Sequence, residues 1–172
     1  VPNVPCWNEM CAGYGNVLWD QRLVQMRQES KYVDALERTL YNAFLVGVSL
    51  KGDTYLYQAP LRTLNGFKRS DWFGPNCCPP NVARLFPQLG SLIYAQNGNA
   101  LFVNLFVGSK AATKLKDTPI NITQETEYPW DGAVKLTISP GKAQKFPLMV
   151  RIPGWARSQP IPGQLYRYQP LA

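Results

Sequence analysis

The texture of the sequence changes near residue 90: helical spacing dominates before it, and short strand-like apolar runs separated by Gly and Pro turns dominate after it. A chain of this kind must fold as helices followed by strands. Residues 12–28 carry Val17, Leu18, Trp19, Leu23, Val24 and Met26, an apolar set over more than half of a helical wheel, which predicts a helix packed on two sides. Ser30 stands where an N-cap belongs. Val33, Leu36, Leu40 and Phe44 then follow at helical spacing until Gly47 supplies a stop. Two helices with so short a link form an antiparallel pair, the repeating unit of helical bundles and helical barrels.

Beyond Gly47, residues 48–50 and 54–57 read as two short strands around Lys51-Gly52-Asp53. Residues 61–78 have no period, hold Asn65-Gly66 and Gly74-Pro75, and read as a loop delivering Cys77 and Cys78. Pro79-Pro80 suits a helix start, where a missing N–H costs nothing. Val82, Leu85, Phe86 and Leu89 continue that helix to Gly90, with Pro87 shortening it. Strands are expected at 92–95 and 101–107 around Gln96-Asn97-Gly98-Asn99, and again at 134–138 and 148–152. Short strands at this spacing suggest a β-sandwich whose sheets need more partners than the chain supplies. Gln159-Pro160-Ile161-Pro162-Gly163 has the composition of an exposed connector.

Composition narrows the function classes. With 172 residues, 45% hydrophobic and 17% charged, the chain is a folding sequence rather than a disordered one. Its formal charge of +7 is scattered, the longest basic run being Lys68-Arg69, so no cationic stripe points to nucleic acid. No apolar run approaches the roughly 20 residues a membrane-spanning helix needs. The sequence has no histidine and opens at Val1-Pro2-Asn3 without an initiator Met. An internal fragment is expected, with two incomplete parts. The compartment then stays open, whether bacterial periplasm, secreted or cytoplasm.

Four cysteines lie in two clusters, Cys6 with Cys11 and Cys77 with Cys78, and Glu9 stands two positions before Cys11. Three thiolates and a carboxylate satisfy tetrahedral zinc, which accepts both soft sulfur and oxygen. Small buried apolar residues are a second reading of the same thiols. A disulfide between the clusters is a third, since adjacent cysteines bridge each other only through a strained ring.

Four motifs make the resemblance specific. Glu9-Met10-Cys11-Ala12, Trp72-Phe73-Gly74-Pro75-Asn76-Cys77-Cys78-Pro79-Pro80-Asn81, Gln124-Glu125-Thr126-Glu127-Tyr128-Pro129-Trp130-Asp131-Gly132 and Arg151-Ile152-Pro153-Gly154-Trp155-Ala156 occur in that order. Together they resemble the β-L-arabinofuranosidases of glycoside hydrolase family 127, almost end to end. The resemblance implies an α+β chain: the terminal helices of an (α/α)6 barrel over residues 1–90, followed over 91–172 by the first strands of a β-sandwich, both incomplete.

It also implies site residues. Zinc ligands fall on Glu9, Cys11, Cys77 and Cys78, and the nucleophile on Cys77. Attack by its thiolate on the anomeric carbon of an L-arabinofuranoside from plant cell walls gives a thioglycosyl intermediate, and hydrolysis then gives net retention. Tyr57 matches a tyrosine lining the sugar site, while a packed tyrosine with a satisfied hydroxyl is the plainer reading. The family's acid/base Glu and sugar-binding histidines lie upstream of Val1, so the isolated chain is expected to be inactive. The expected partners are an arabinofuranoside glycan and either the remainder of the enzyme or a second copy, with no nucleic acid and no membrane.

Two departures stand out. Pro75 takes the place of the first cysteine in a Cys-x-Cys-Cys pattern, and Met10 replaces Thr in Glu-Thr-Cys. Trp72 and Trp130 have the ring faces to stack on sugars, although Trp130 is expected to pack between the two parts. Asn121-Ile122-Thr123 is a glycosylation sequon by pattern alone, which carries little weight without a secretory context, and Glu125, Glu127 and Asp131 read as a solvated acidic group or an interdomain contact. The rival from another class is a non-catalytic carbohydrate-binding or structural β-sandwich module, in which the cysteines are core residues and bind no metal.

Overall fold

The computed structural model describes residues 8–63, 66–72, 77–161 and 169. Cys6, Asn65, the Phe73-Gly74-Pro75-Asn76 part of the second motif and Pro162-Gly163 of the connector lie outside the described residues. The chain divides into two compact units, Val1–Gln88 with Pro153–Ala172, and Leu89–Ile152. No helix among the described residues is long and apolar enough to cross a membrane.

In the first unit, α1 (Met10–Arg27) and α2 (Ser30–Thr39) are joined through Gln28, whose left-handed φ of 55° reverses the chain. Asn16 Nδ2 donates to Thr39 Oγ1 at 2.8 Å, and Gly13 lies against the Ala43 backbone. Residues rising along α1 therefore meet residues falling along the next segment, which makes the pair antiparallel. Ser30 is the first helical residue rather than the cap. Glu29 takes the capping position, without a side-chain bond. Val33, Leu36, Leu40 and Phe44 are all buried, as their spacing requires. The α-helix proper ends at Thr39, and a π turn (Leu40–Phe44) and a 3₁₀ turn (Leu45–Gly47) carry the path onward.

One expectation for α1 fails. Its buried residues Met10, Gly13, Val17, Asp20 and Gln21 follow one face, whereas Trp19 is 66% and Met26 73% exposed. Within this chain α1 is covered on one side.

Residues 48–57 turn back on themselves through single bridges rather than a ladder. Val48 pairs with Tyr55, and Tyr55 in turn with Ser70. Helix α3 (Cys78–Leu85) ends in a 3₁₀ turn (Phe86–Gln88) that contains Pro87, which shortens the helix as its fixed φ and absent N–H dictate.

The second unit opens with a helical turn. Leu92 and Ile93 belong to a one-turn helix, α4 (Gly90–Ile93), not to a strand. Strands β1 (Tyr94–Asn97) and β2 (Ala100–Val103) pair around Gly98, whose φ of 57° the tight turn demands. β2 stops at Val103, four residues short of expectation. β6 (Leu148–Val150) pairs parallel to β2, completing the order β1-β2-β6.

The second sheet, β3-β4-β5, is antiparallel throughout. Its strands β3 (Ser109–Leu115) and β4 (Thr118–Thr126) were absent from the sequence expectation, and β5 (Val134–Pro140) runs two residues beyond it. In β4, Thr118, Ile120, Ile122 and Gln124 are buried while Pro119, Asn121 and Glu125 face out. The sequon thus sits mid-strand, paired on both sides. Glu125 forms an exposed 2.8 Å ion pair with Lys135. A core of Leu101, Leu115, Ile120 and Ile122, with Tyr94, Ala111, Ile138 and Phe146 against it, joins side chains of both sheets. Trp130 packs in no core, being 90% exposed.

The fourth motif divides into structural duties. Arg151 is buried, donates from Nε to the Asn104 carbonyl at 2.6 Å and stacks over Phe106. Gly154 admits the Asp34 carboxylate, whose Oδ2 would stand 2.7 Å from any Cβ there.

Candidate metal centre

Two helix beginnings supply the site. Glu9 is the N-cap of α1, in extended conformation at φ −84° and ψ 136°, and Cys11 is its second helical residue. An extended stretch fixes that entry: Met10 N–H donates to the Tyr57 carbonyl at 3.1 Å, Ala59 N–H to that of Asn8 at 2.7 Å, and Glu9 pairs with Gln58. Cys77 is the N-cap of α3 and Cys78 its first helical residue, with prolines next, where a missing N–H is tolerated.

Glu9, Cys11, Cys77 and Cys78 each offer one donor atom, and all four atoms lie within 4.8 Å of one another. Cys11 Sγ is 3.3 Å from Cys78 Sγ, Cys77 Sγ is 3.6 Å from Cys78 Sγ, and Cys77 Sγ is 3.5 Å from Glu9 Oε1. Zinc–sulfur bonds of about 2.3 Å on a tetrahedron separate the ligand atoms by about 3.8 Å, so the spacing suits such an ion. Disulfide-length contacts are absent among these three cysteines, which are free.

Electrostatics bear on the same four groups. Burial raises the Cys78 thiol far above its ordinary value, and hydrogen bonds with Cys11 and Cys77 add to the rise. Burial also raises Cys11, against the opposing hydrogen bonds from Cys78 and Asn81. Four acidic groups this close cannot all ionise beside one another without a cation. Two helix N-termini meanwhile turn their positive ends toward the cluster, favouring thiolate and carboxylate. A divalent cation reconciles the two tendencies. The donor set is soft enough for zinc and too rich in sulfur for magnesium or calcium.

Tyr57 stands beside the cluster. Its hydroxyl is pushed up by burial, by the charges of Glu9 and Cys77, and by a hydrogen bond with Glu9. The structure thus places Tyr57 against the acidic edge of the site, whereas Trp72 packs edge-on against Tyr55. Sequence reasoning missed Asn81, quoted within a motif but given no task. Its Nδ2 donates to Cys11 Sγ at 3.1 Å. The available signal was position: Asn81 is one helical turn beyond the paired thiols.

Residues 1–91 match the family profile described as "Beta-L-arabinofuranosidase, GH127 catalytic domain", and residues 100–163 that described as "GH127 middle domain". The chain belongs to glycoside hydrolase family 127. It is similar to the non-reducing end β-L-arabinofuranosidase of Bifidobacterium longum subsp. longum, at 31% identity over 173 residues, covering 91% of this chain and 26% of that enzyme. A GH127 β-L-arabinofuranosidase from Geobacillus stearothermophilus T6 has a similar crystal structure, with a TM-score of 0.86 and 41% identity over 90% of this chain and 26% of that one. Another solved GH127 β-arabinofuranosidase gives a TM-score of 0.93 and 42% identity over 98% of this chain and 26% of that one. The chain therefore spans about a quarter of the length of these relatives.

Proposed function

We propose that this chain carries the metal centre and the nucleophile of a retaining glycoside hydrolase that acts on L-arabinofuranosides such as those of plant cell walls. The observation that carries the reading is the convergence of three sulfurs and one carboxylate from two helix starts. Glu9, Cys11, Cys77 and Cys78 hold zinc. The metal, when bound, keeps the sulfurs as thiolates at neutral pH.

Cys77 is the nucleophile. Cys78 is fully buried and Cys11 is held between Cys78 and Asn81, while Cys77 is half-buried at the edge of the cluster. Its sulfur attacks the anomeric carbon, the bond to the leaving oxygen breaks, and a proton passes to that oxygen from an acid. Water activated by the conjugate base then displaces the sulfur. Two inversions give net retention. Tyr57, with its hydroxyl on Glu9, borders the sugar and helps fix the Glu9 carboxylate. Residues 1–90 form the closing part of a helical barrel, and the strands that follow form the start of a β-sandwich.

The acid/base lies outside this sequence on the resemblance, and Glu9 is committed to the metal, so the isolated 172-residue chain hydrolyses nothing. Metal analysis of the chain purified without chelator tests the reading. One zinc per chain is expected, lost in Cys78→Ser and Cys11→Ser. A metal-free chain, or one whose zinc survives both substitutions, overturns it in favour of a non-catalytic module. Failure of an electrophilic arabinofuranose mimic to label Cys77 in the longer enzyme would show the zinc to be purely structural.

A further inference from the structure

Asn81 stands three residues after Cys78 and four after Cys77 on α3, and helical side chains lean toward the helix N-terminus, so its amide lies over the thiol pair. From there it reaches the other helix. Nδ2 donates to Cys11 Sγ at 3.1 Å, across 70 positions of sequence. The opposite end of the amide is also engaged: Oδ1 accepts from Arg84 Nη1 at 2.8 Å. A guanidinium has only donors, so Arg84 can face only the amide oxygen, and the amide N–H must then face the sulfur.

We propose that Asn81 is a positioning residue of the metal centre, holding Cys11 Sγ in ligating place through an amide N–H whose orientation Arg84 sets. This rests on the reading that the cluster binds zinc. Cys11 has a second contact, the 3.3 Å approach to Cys78 Sγ, but that S–H···S contact needs a proton that ligation removes. The amide contact instead strengthens when the sulfur carries charge. Hydrogen-bond partners of this kind orient metal ligands and are worth roughly 10- to 100-fold in metal affinity.

Zn²⁺ affinity, measured by competition with a chromophoric chelator, and the sulfur-to-metal charge-transfer band of the Co²⁺-loaded chain test the assignment. Asn81→Leu, which removes the donor, is expected to weaken Zn²⁺ binding about tenfold or more. Asn81→Asp, which places a carboxylate against the sulfur, is expected to weaken it further. Both shift the Co²⁺ band while the unfolding midpoint of the metal-free chain stays close to that of the unsubstituted protein. Arg84→Ala, at an exposed position, is expected to lower affinity a few-fold by freeing the amide to flip. It decides the question alone if the Asn81 variants do not fold. Affinities within twofold of the unsubstituted chain, with an unchanged band, overturn the proposal and leave the zinc reading standing. An unsubstituted chain that takes up neither ion removes both.

Discussion

Met10 Sδ rests where a Cβ on Gly47 would have to be, and its Cγ stands only 2.9 Å from the same point. Gly47 is therefore demanded by a close approach, because Met10 lies between two of the proposed ligands and is fully buried.

Gly47→Ala is expected to destabilise the chain by about 1–3 kcal/mol, the usual cost of overpacking a filled core. Because the displaced side chain sits between Glu9 and Cys11, zinc affinity should fall as well. Denaturant unfolding and chelator competition on one preparation measure both effects. A variant as stable as the parent, with the same affinity, would show that Met10 has room to move.

Removal of zinc by a strong chelator should loosen the first unit selectively. Amide exchange in α1 and α3 is expected to accelerate about tenfold or more, while that of β4, whose pairing and core lie in the second unit, stays protected. Mass-spectrometric exchange with and without chelator separates the two units. Equal acceleration in β4 would contradict the independence of the sheets from the metal.

The raised thiols set a pH dependence of opposite sign in the two metal states. In the metal-free chain, folded Cys78 and Cys11 hold their protons above the ordinary thiol value of 9.0, at which the unfolded chain begins to lose them. The resulting stabilisation is complete below that value and declines as pH rises above it. Zinc binding requires proton loss, so affinity should increase with pH across the neutral range. Urea unfolding midpoints of the metal-free chain from pH 7 to 10, set beside Zn²⁺ titrations from pH 6 to 8, provide the comparison.

Tyr57→Phe separates the hydroxyl from the backbone. The Tyr57 carbonyl that receives Met10 N–H is retained, so fold and zinc content should persist. Loss of the hydrogen bond to Glu9 is expected to reduce kcat/KM on an arabinofuranoside by about tenfold or more when the substitution is made in a full-length family 127 enzyme that carries this segment, with unchanged zinc stoichiometry. An unaltered kcat/KM would return Tyr57 to a packing role.

Legibility from the sequence varied with the physical source of each feature. The buried face of α2 and of the turn after it was readable because Val33, Leu36, Leu40 and Phe44 repeat at the pitch of a helix, whereas Trp19 and Met26, counted as part of a second packed side of α1, lie exposed. The β3–β4 hairpin was not, because its two-residue turn is Lys116-Asp117, with Lys116 at a positive φ of 52° and neither Gly nor Asn to announce it. Alternation through Thr118, Ile120, Ile122 and Gln124 was available, but the sequon and the acidic residues drew the reading away from it. Leu92 and Ile93 form an apolar doublet that fits a helical turn as well as a strand. The residue types of Glu9, Cys11, Cys77 and Cys78 were legible, yet their meeting depends on α1 and α3 starting at one point, which no local pattern records. Asn81 escaped because an amide beside thiols has no sequence signature of its own.

The spacing of the cluster reaches beyond the site. Cys11 and Cys78 stand 67 positions apart, so an ion held by both closes a loop of that length in the folded chain. Because such a site exists only in the folded chain, the free energy of taking up the ion adds to the free energy of folding. Residues 48–63, held by single bridges rather than a ladder, would then owe part of their order to a clamp that forms only once both ends have arrived.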